Sequence, residues 1–169
     1  MTNGQKRIKR LNTFPMQIND IIVTLQTKHR EYGITLYPEA TIGDIAYFED
    51  TYHIALPDDI KTFYRFCNGF ESAEDLFRII PLDETRSNID RFTSKSFFIA
   101  EYLIYCDMWE IEVNPNDRND YSIINKPEKC RTITLTNSFA EFLGRFLQGG
   151  VFDKGGLYDW HEEMKVKIG

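Results

Sequence analysis

The chain has 169 residues, 42% hydrophobic and 14% aromatic, with 20 basic against 26 acidic residues and a net charge of −6. That length supports one domain that buries roughly 70% of its unfolded surface, and two independent cores are not expected. The first ten residues hold four of the basic residues and none of the acidic ones, so the remainder stands at −10, a charge that repels phosphate backbones and attracts basic protein surfaces.

Residues 1–14 form a basic terminus, 15–150 the expected domain, and 151–169 an extension of it. The basic start lacks the apolar region of a secretory signal, and no apolar run is long enough to cross a bilayer, so a cytoplasmic protein without membrane contact is expected. Ile18, Ile21, Ile22, Leu25, His29 and Tyr32 share one helical face, which predicts a first helix from about Met16 to Tyr32, stopped by Gly33. Thr41 and Asp44 make a capping pair for a second helix carrying Ile42, Ile45, Phe48 and Tyr52. A third helix follows Leu56-Pro57. Pro57 suits the first helical position, Asp58 and Asp59 complement the dipole, and Ile60, Phe63, Tyr64 and Cys67 form the apolar face. Gly69 can take the left-handed conformation that ends a helix.

The period then changes. After an acidic loop, Glu71 to Asp75, the run Leu76 to Ile80 reads as a strand closed by Pro81. Phe97 to Tyr105 is apolar at almost every position, as expected of a central strand covered on both faces. Trp109, Ile111 and Val113 alternate with Glu110 and Glu112, so the next strand has an exposed acidic face. Asn114 to Asp120 is a turn leading into Tyr121-Ser122-Ile123-Ile124, and Arg131 to Leu135 is a further strand. Ser138 with Glu141 caps a last helix bearing Phe139, Phe142, Leu143, Phe146 and Leu147, ended by Gly149-Gly150. Beyond it the glycines at 155 and 156 leave the tail unassigned. The order predicts an α+β domain: an antiparallel or mixed sheet of about five strands, with amphipathic helices packed at one face or end.

Ile45-x-x-Phe48-Glu49, Leu56-Pro57-x-Asp59, Asn68-Gly69 and Ser138-Phe139-x-x-Phe142-Leu143 occur in an order that resembles the SUKH superfamily. Phe98 to Ile104 followed by Trp109-x-Ile111 also resembles the paired strands of those proteins. The superfamily includes fungal cell-wall-synthesis regulators and many bacterial immunity proteins, and the similarity spans about Thr41 to Leu147. It implies a non-enzymatic domain without cofactor that, in bacterial members, binds a cognate toxin and blocks it. The partner expected is a protein, a basic toxin domain, with the chain a monomer or weak homodimer. A regulatory or scaffold module without a toxin is the alternative. Glu110, Glu112, Asp117 and Asp120, with Tyr121 as an aromatic anchor, are the candidate contacts; against this, the same residues read more simply as ordinary solvated hairpin side chains.

Enzymatic and metal readings find less support. Glu110 and Glu112 share a strand face and provide the pair of carboxylates that a hydrolase needs, but alternation with apolar neighbours already accounts for both. Cys67 sits on an apolar helix face and reads as core. Cys130 lies between Lys129 and Arg131, which on a strand point away from it. Cys67, Cys106 and Cys130 contain no C-x-x-C pair, which argues against a disulfide framework or cysteine zinc site. His29, His53 and His161 lack metal-ligand spacing. Gly150 to Gly156 has phosphate-loop glycines but Gly156 occupies the lysine position, and the Asn114 to Asp120 turn lacks the glutamate of a calcium loop. The Lys6 to Arg10 cluster is too short to predict a specific nucleic-acid reader.

Overall fold

The computed structural model describes residues 16–87, 96–126 and 132–168. The basic terminus, Cys130 and its flanking Lys129 and Arg131 lie outside them. Helix α1 (Ile18–Lys28) is shorter than its apolar face predicts: turns from His29 carry the chain to Gly33 (φ +64), which redirects it into β1 (Ile34–Leu36). Helix α2 (Ile42–Tyr52) begins with the predicted box, in which Thr41 Oγ1 accepts from Asp44 N at 3.1 Å and Asp44 Oδ2 accepts from Thr41 N at 2.9 Å. Its buried residues are Ile45 and Phe48, whereas Ile42, assigned to the apolar face from the sequence, is exposed.

Helix α3 (Asp58–Phe66) buries Ile60, Phe63 and Tyr64 as predicted. Pro57 stands just before the first helical residue, and extended Cys67, still buried, ends the helix. Gly69 therefore has a different task from the expected stop. With φ +94, its backbone passes so close to the neighbouring strand that a Cβ would lie 2.3 Å from the Ile79 carbonyl oxygen. Only glycine has both the conformation and the room.

Strands β2 (Phe70–Ser72), β3 (Phe77–Ile79), β4 (Ser96–Tyr102), β5 (Asp107–Asn114), β6 (Asp117–Asn125) and β7 (Ile133–Thr136) join β1 in a seven-stranded antiparallel sheet whose spatial order is its chain order. The expected count of about five is corrected to seven. Strands of three residues, such as β1 and β2, show too little alternation to be seen, and acidic Glu71 made β2 read as loop. The long apolar run also divides: β4 stops at Tyr102, and Leu103, Ile104 and Tyr105 all take positive φ in the turn to β5.

Register puts Phe70, Phe77, Ile79, Ala100, Trp109 and Ile111 on one sheet face. Helix α5 (Phe139–Gly149) lays Phe139, Phe142 and Phe146 against that face, with Phe77 and Phe146 stacked at 4.2 Å and Phe63 meeting Phe139 edge-on at 5.2 Å. The other face carries Glu71, Arg78, Glu101, Glu110 and Glu112, and the short helix α4 (Leu82–Ser87) lies beside it, where Glu84 meets Arg78. At the α5 start Ser138 caps Glu141 N as predicted, but the Glu141 carboxylate accepts from Thr136 instead of completing the box.

The tail, unassigned from the sequence, forms helix α6 (Leu157–Ile168), packed on α5 and β7. Gly149 and Gly156 make its close return possible, since a Cβ on Gly156 would lie 2.5 Å from the carbonyl oxygens of Gly149 and Gly150. Gly150 and Gly155, which have the phosphate-loop spacing, take φ of 57° and 82° in this connection. Arg145 sits 5.0 Å above the buried Trp160 ring, a cation–π contact that ties α6 down.

Candidate functional site

The predicted contact residues gather around the β5–β6 hairpin, yet they divide into two kinds. Glu112, Asp117 and Asp120 are exposed. Glu110 and Tyr121 are buried, which corrects the expectation that both face solvent. Glu110 points to the outer face of the sheet, where its carboxylate accepts from Ser96 and meets Lys126 Nζ at 3.0 Å. The same ammonium stands 3.8 Å from Glu112, so Glu110 and Glu112 share one cation. Alternation identified the face correctly but not its coverage, because a lone strand pattern carries no information about what lies above it.

Tyr121 belongs to the helix-bearing face. Its hydroxyl donates to Asp59 of α3 and accepts from the Phe139 backbone N at 2.7 Å, joining β6, α3 and α5 at one oxygen. Burial, and after it the Asp59 carboxylate, pushes the phenol above its ordinary range. Asp58 grips the hairpin from outside: Arg118 lies 3.0 Å from Oδ1, Asn119 donates to Oδ2 at 2.9 Å, and Asp58 N donates to Asn119 Oδ1 at 3.0 Å. Asp58 and Asp59, placed in the sequence as dipole partners, therefore also clamp the hairpin to α3.

Between the clamped hairpin and the α2–α3 connection runs a groove of about 530 Å³, with His53, Ile54 and Ala55 on one wall and Val113, Pro115 and Arg118 on the other. Neither Glu110 nor Glu112 lines it. Among the described residues, no three His, Cys, Asp or Glu side chains are grouped to hold a metal ion, and no helix is long and apolar enough to cross a membrane.

A second polar cluster escaped sequence reading because its members are far apart in the chain. Arg78 on β3 binds Glu101 on β4 and Glu84 on α4, and its guanidinium also donates to the Tyr105 hydroxyl at 3.2 Å. The other carboxylate oxygen of Glu101, itself buried, accepts from Tyr105 N at 3.0 Å. Only the β3–β4 register, Arg78 opposite Glu101, brings these charges together.

The motif residues have structural duties. Glu49 Oε1 accepts from Leu56 N at 2.8 Å and meets Lys61 at 2.9 Å, fastening α2 to α3. Asn68 Oδ1 accepts from Leu82 N at 2.9 Å, while its amide donates to Asp83 at 3.1 Å. Ile45, Phe48, Leu56, Phe63, Trp109, Phe139, Phe142 and Leu143 are core. A sheet covered by helices on one face, with many of its polar groups used in joints between elements, defines an α+β domain. Within that class, the model of the SMI1 / KNR4 family (SUKH-1) matches residues 39–145, and the chain belongs to that family, whose members are generally non-enzymatic. The matched span includes every motif residue and omits α1 and α6. A search of curated proteins finds no match to this chain.

Proposed function

We propose that this chain is a bacterial immunity protein that binds a basic toxin domain in the cytoplasm and covers its active surface. The observation that carries the reading is the exposure of Glu112, Asp117 and Asp120 on a hairpin held rigid by Asp58 and Tyr121. A rigid acidic edge attracts a basic partner with little ordering cost and makes association fast and salt-sensitive. Asp120 accepts from Asn114 at 2.7 Å, which fixes its carboxylate at the edge. Family membership supports a role in protein interaction.

The test is to search the genes beside this one for a toxin domain and to co-express the chain with it. The wild-type chain is expected to restore growth and to co-purify with the toxin. Glu112→Lys combined with Asp117→Lys is expected to slow association about tenfold or more at low salt, with the difference shrinking at high salt. Absence of both rescue and complex with the wild-type chain refutes the immunity reading.

A further inference from the structure

At the opposite end of the sheet from the hairpin, eight β5 residues and so about 26 Å away, four large apolar side chains stand in solvent. Leu76 is 54% exposed, Leu103 41%, Ile104 82% and Phe152 62%. They belong to three neighbouring turns. Leu103 N donates to Leu76 O at 2.8 Å, and the Phe152 ring meets Tyr102, the residue before Leu103, at 5.3 Å. Val151 N reaches Asp75 Oδ1 at 3.3 Å, so the α5–α6 connection is tied to the β2–β3 turn.

Three of the four also have a backbone conformation unusual for their type. Leu76, Leu103 and Ile104 have φ of 51°, 50° and 50°, and Tyr105 follows at 64°. Left-handed backbone disfavours every L side chain, a β-branched one most, and is adopted readily only by Gly and, less so, Asn. Solvation and local conformation therefore both argue against Leu103-Ile104 in an isolated chain, yet the fold secures the arrangement from beneath. The Glu101 carboxylate accepts from Tyr105 N, and Arg78 bonds the Tyr105 hydroxyl while lying 5.8 Å from its ring. The polar cluster that no binding role has used is the brace for this turn. Strain maintained by buried charges and capped by exposed apolar groups is characteristic of a preformed contact surface.

We propose that Leu76, Leu103, Ile104 and Phe152 form a second docking surface, which takes a protein segment combining apolar side chains with flanking Lys or Arg. The patch exposes on the order of 400 Å² of apolar surface, about half of one side of a standard interface, so it acts as the centre of a contact whose rim is charged. Glu74 and Asp153, both exposed, adjoin it in the chain, as does the exposed Lys154. That rim disfavours a second copy, which would set like charges against each other, and disfavours an anionic lipid surface. A basic, apolar segment satisfies both centre and rim. The surface lies away from the acidic hairpin and does not depend on the partner being a toxin.

The test uses the full chain, immobilised and panned against a displayed library of random peptides. The wild type is expected to enrich peptides that mix aromatic or aliphatic residues with Lys or Arg. Phe152→Asp is expected to bind them about tenfold more weakly or worse. A second variant, Leu103→Asn with Ile104→Gly, suits left-handed backbone better than the native pair, so its turn is retained while the patch is lost; it too is expected to lose the peptides with no fall in Tm. Failure to enrich such peptides, or equal binding by the variants, overturns the proposal. So does a concentration-dependent dimer that Phe152→Asp abolishes, or flotation with phosphatidylglycerol vesicles, since either gives the patch another occupant. Because no toxin enters this experiment, its failure and a failure of rescue are separate results.

Discussion

Tyr121→Phe tests whether the tyrosine first read as a binding anchor is instead a joint of the fold. The substitution removes one buried oxygen that donates to Asp59 and accepts from Phe139 N. Loss of a hydrogen bond to a carboxylate costs about 1.5–3 kcal/mol, and an orphaned buried N–H costs about 1–3 kcal/mol. The two share one atom and overlap, and Asp59 Oδ1 keeps its bond from Ile60 N at 2.8 Å, so the expected total is about 2–4 kcal/mol. With a urea m-value in the middle of the usual range, roughly 2 kcal/mol/M, the unfolding midpoint should fall by about 1–2 M at unchanged m. Equilibrium unfolding followed by tryptophan fluorescence reads this directly, since Trp109 and Trp160 are both buried. A midpoint within about 0.3 M of wild type refutes the joint. Unchanged stability together with lost toxin rescue would restore Tyr121 as a contact.

Phe63→Ala should cost about 3–5 kcal/mol, because the ring is fully buried and packed edge-on against Phe139; unchanged stability by urea unfolding contradicts this core assignment. Gly69→Ala should cost roughly 2–5 kcal/mol, combining left-handed strain with displacement of the Ile79 backbone, and a midpoint equal to wild type rejects the close approach. Burial pushes the Cys67 thiol up to about 12 while Cys106 is exposed; peptide mapping after brief treatment with a thiol reagent at neutral pH should find Cys106 modified and Cys67 intact. Burial, and after it Lys165, lowers the His161 pKa, against the opposing fields of Glu162 and Asp107. The unfolded chain then takes up this proton at its ordinary value of 6.5 while the folded chain does not. Stability should therefore fall as pH drops from 6.5 toward the lowered folded value, and His161→Gln should flatten the dependence of Tm on pH in that window. Equal slopes in both proteins would remove His161 as the cause.

The main helices were legible because their signals act locally. Thr41 with Asp44, the Leu56-Pro57 break and the Phe139, Phe142, Phe146 stripe each follow from neighbours within one or two helical turns. The alternation from Trp109 to Val113 likewise assigned the strand and its two faces. The candidate site was legible only in part. Glu112, Asp117 and Asp120 lie exposed on the hairpin as expected, whereas Glu110 and Tyr121 carry the same local pattern and are buried. Helix α6 was hidden by paired glycines, which weaken a helical prediction but here permit two backbones to touch.

Sequence alone determined the class of fold, the main helices, the acidic balance of the chain and the family motifs, since all of these rest on composition and short-range period. Tertiary structure decided what each polar residue does. Arg78, Glu101 and Tyr105 become one brace only through strand register, Asp59 and Tyr121 meet across 62 residues, and Leu76, Leu103 and Phe152 become a single patch only where three turns converge. Burial and charge pairing depend on contacts between distant segments, and a periodic pattern read along the chain carries no record of them.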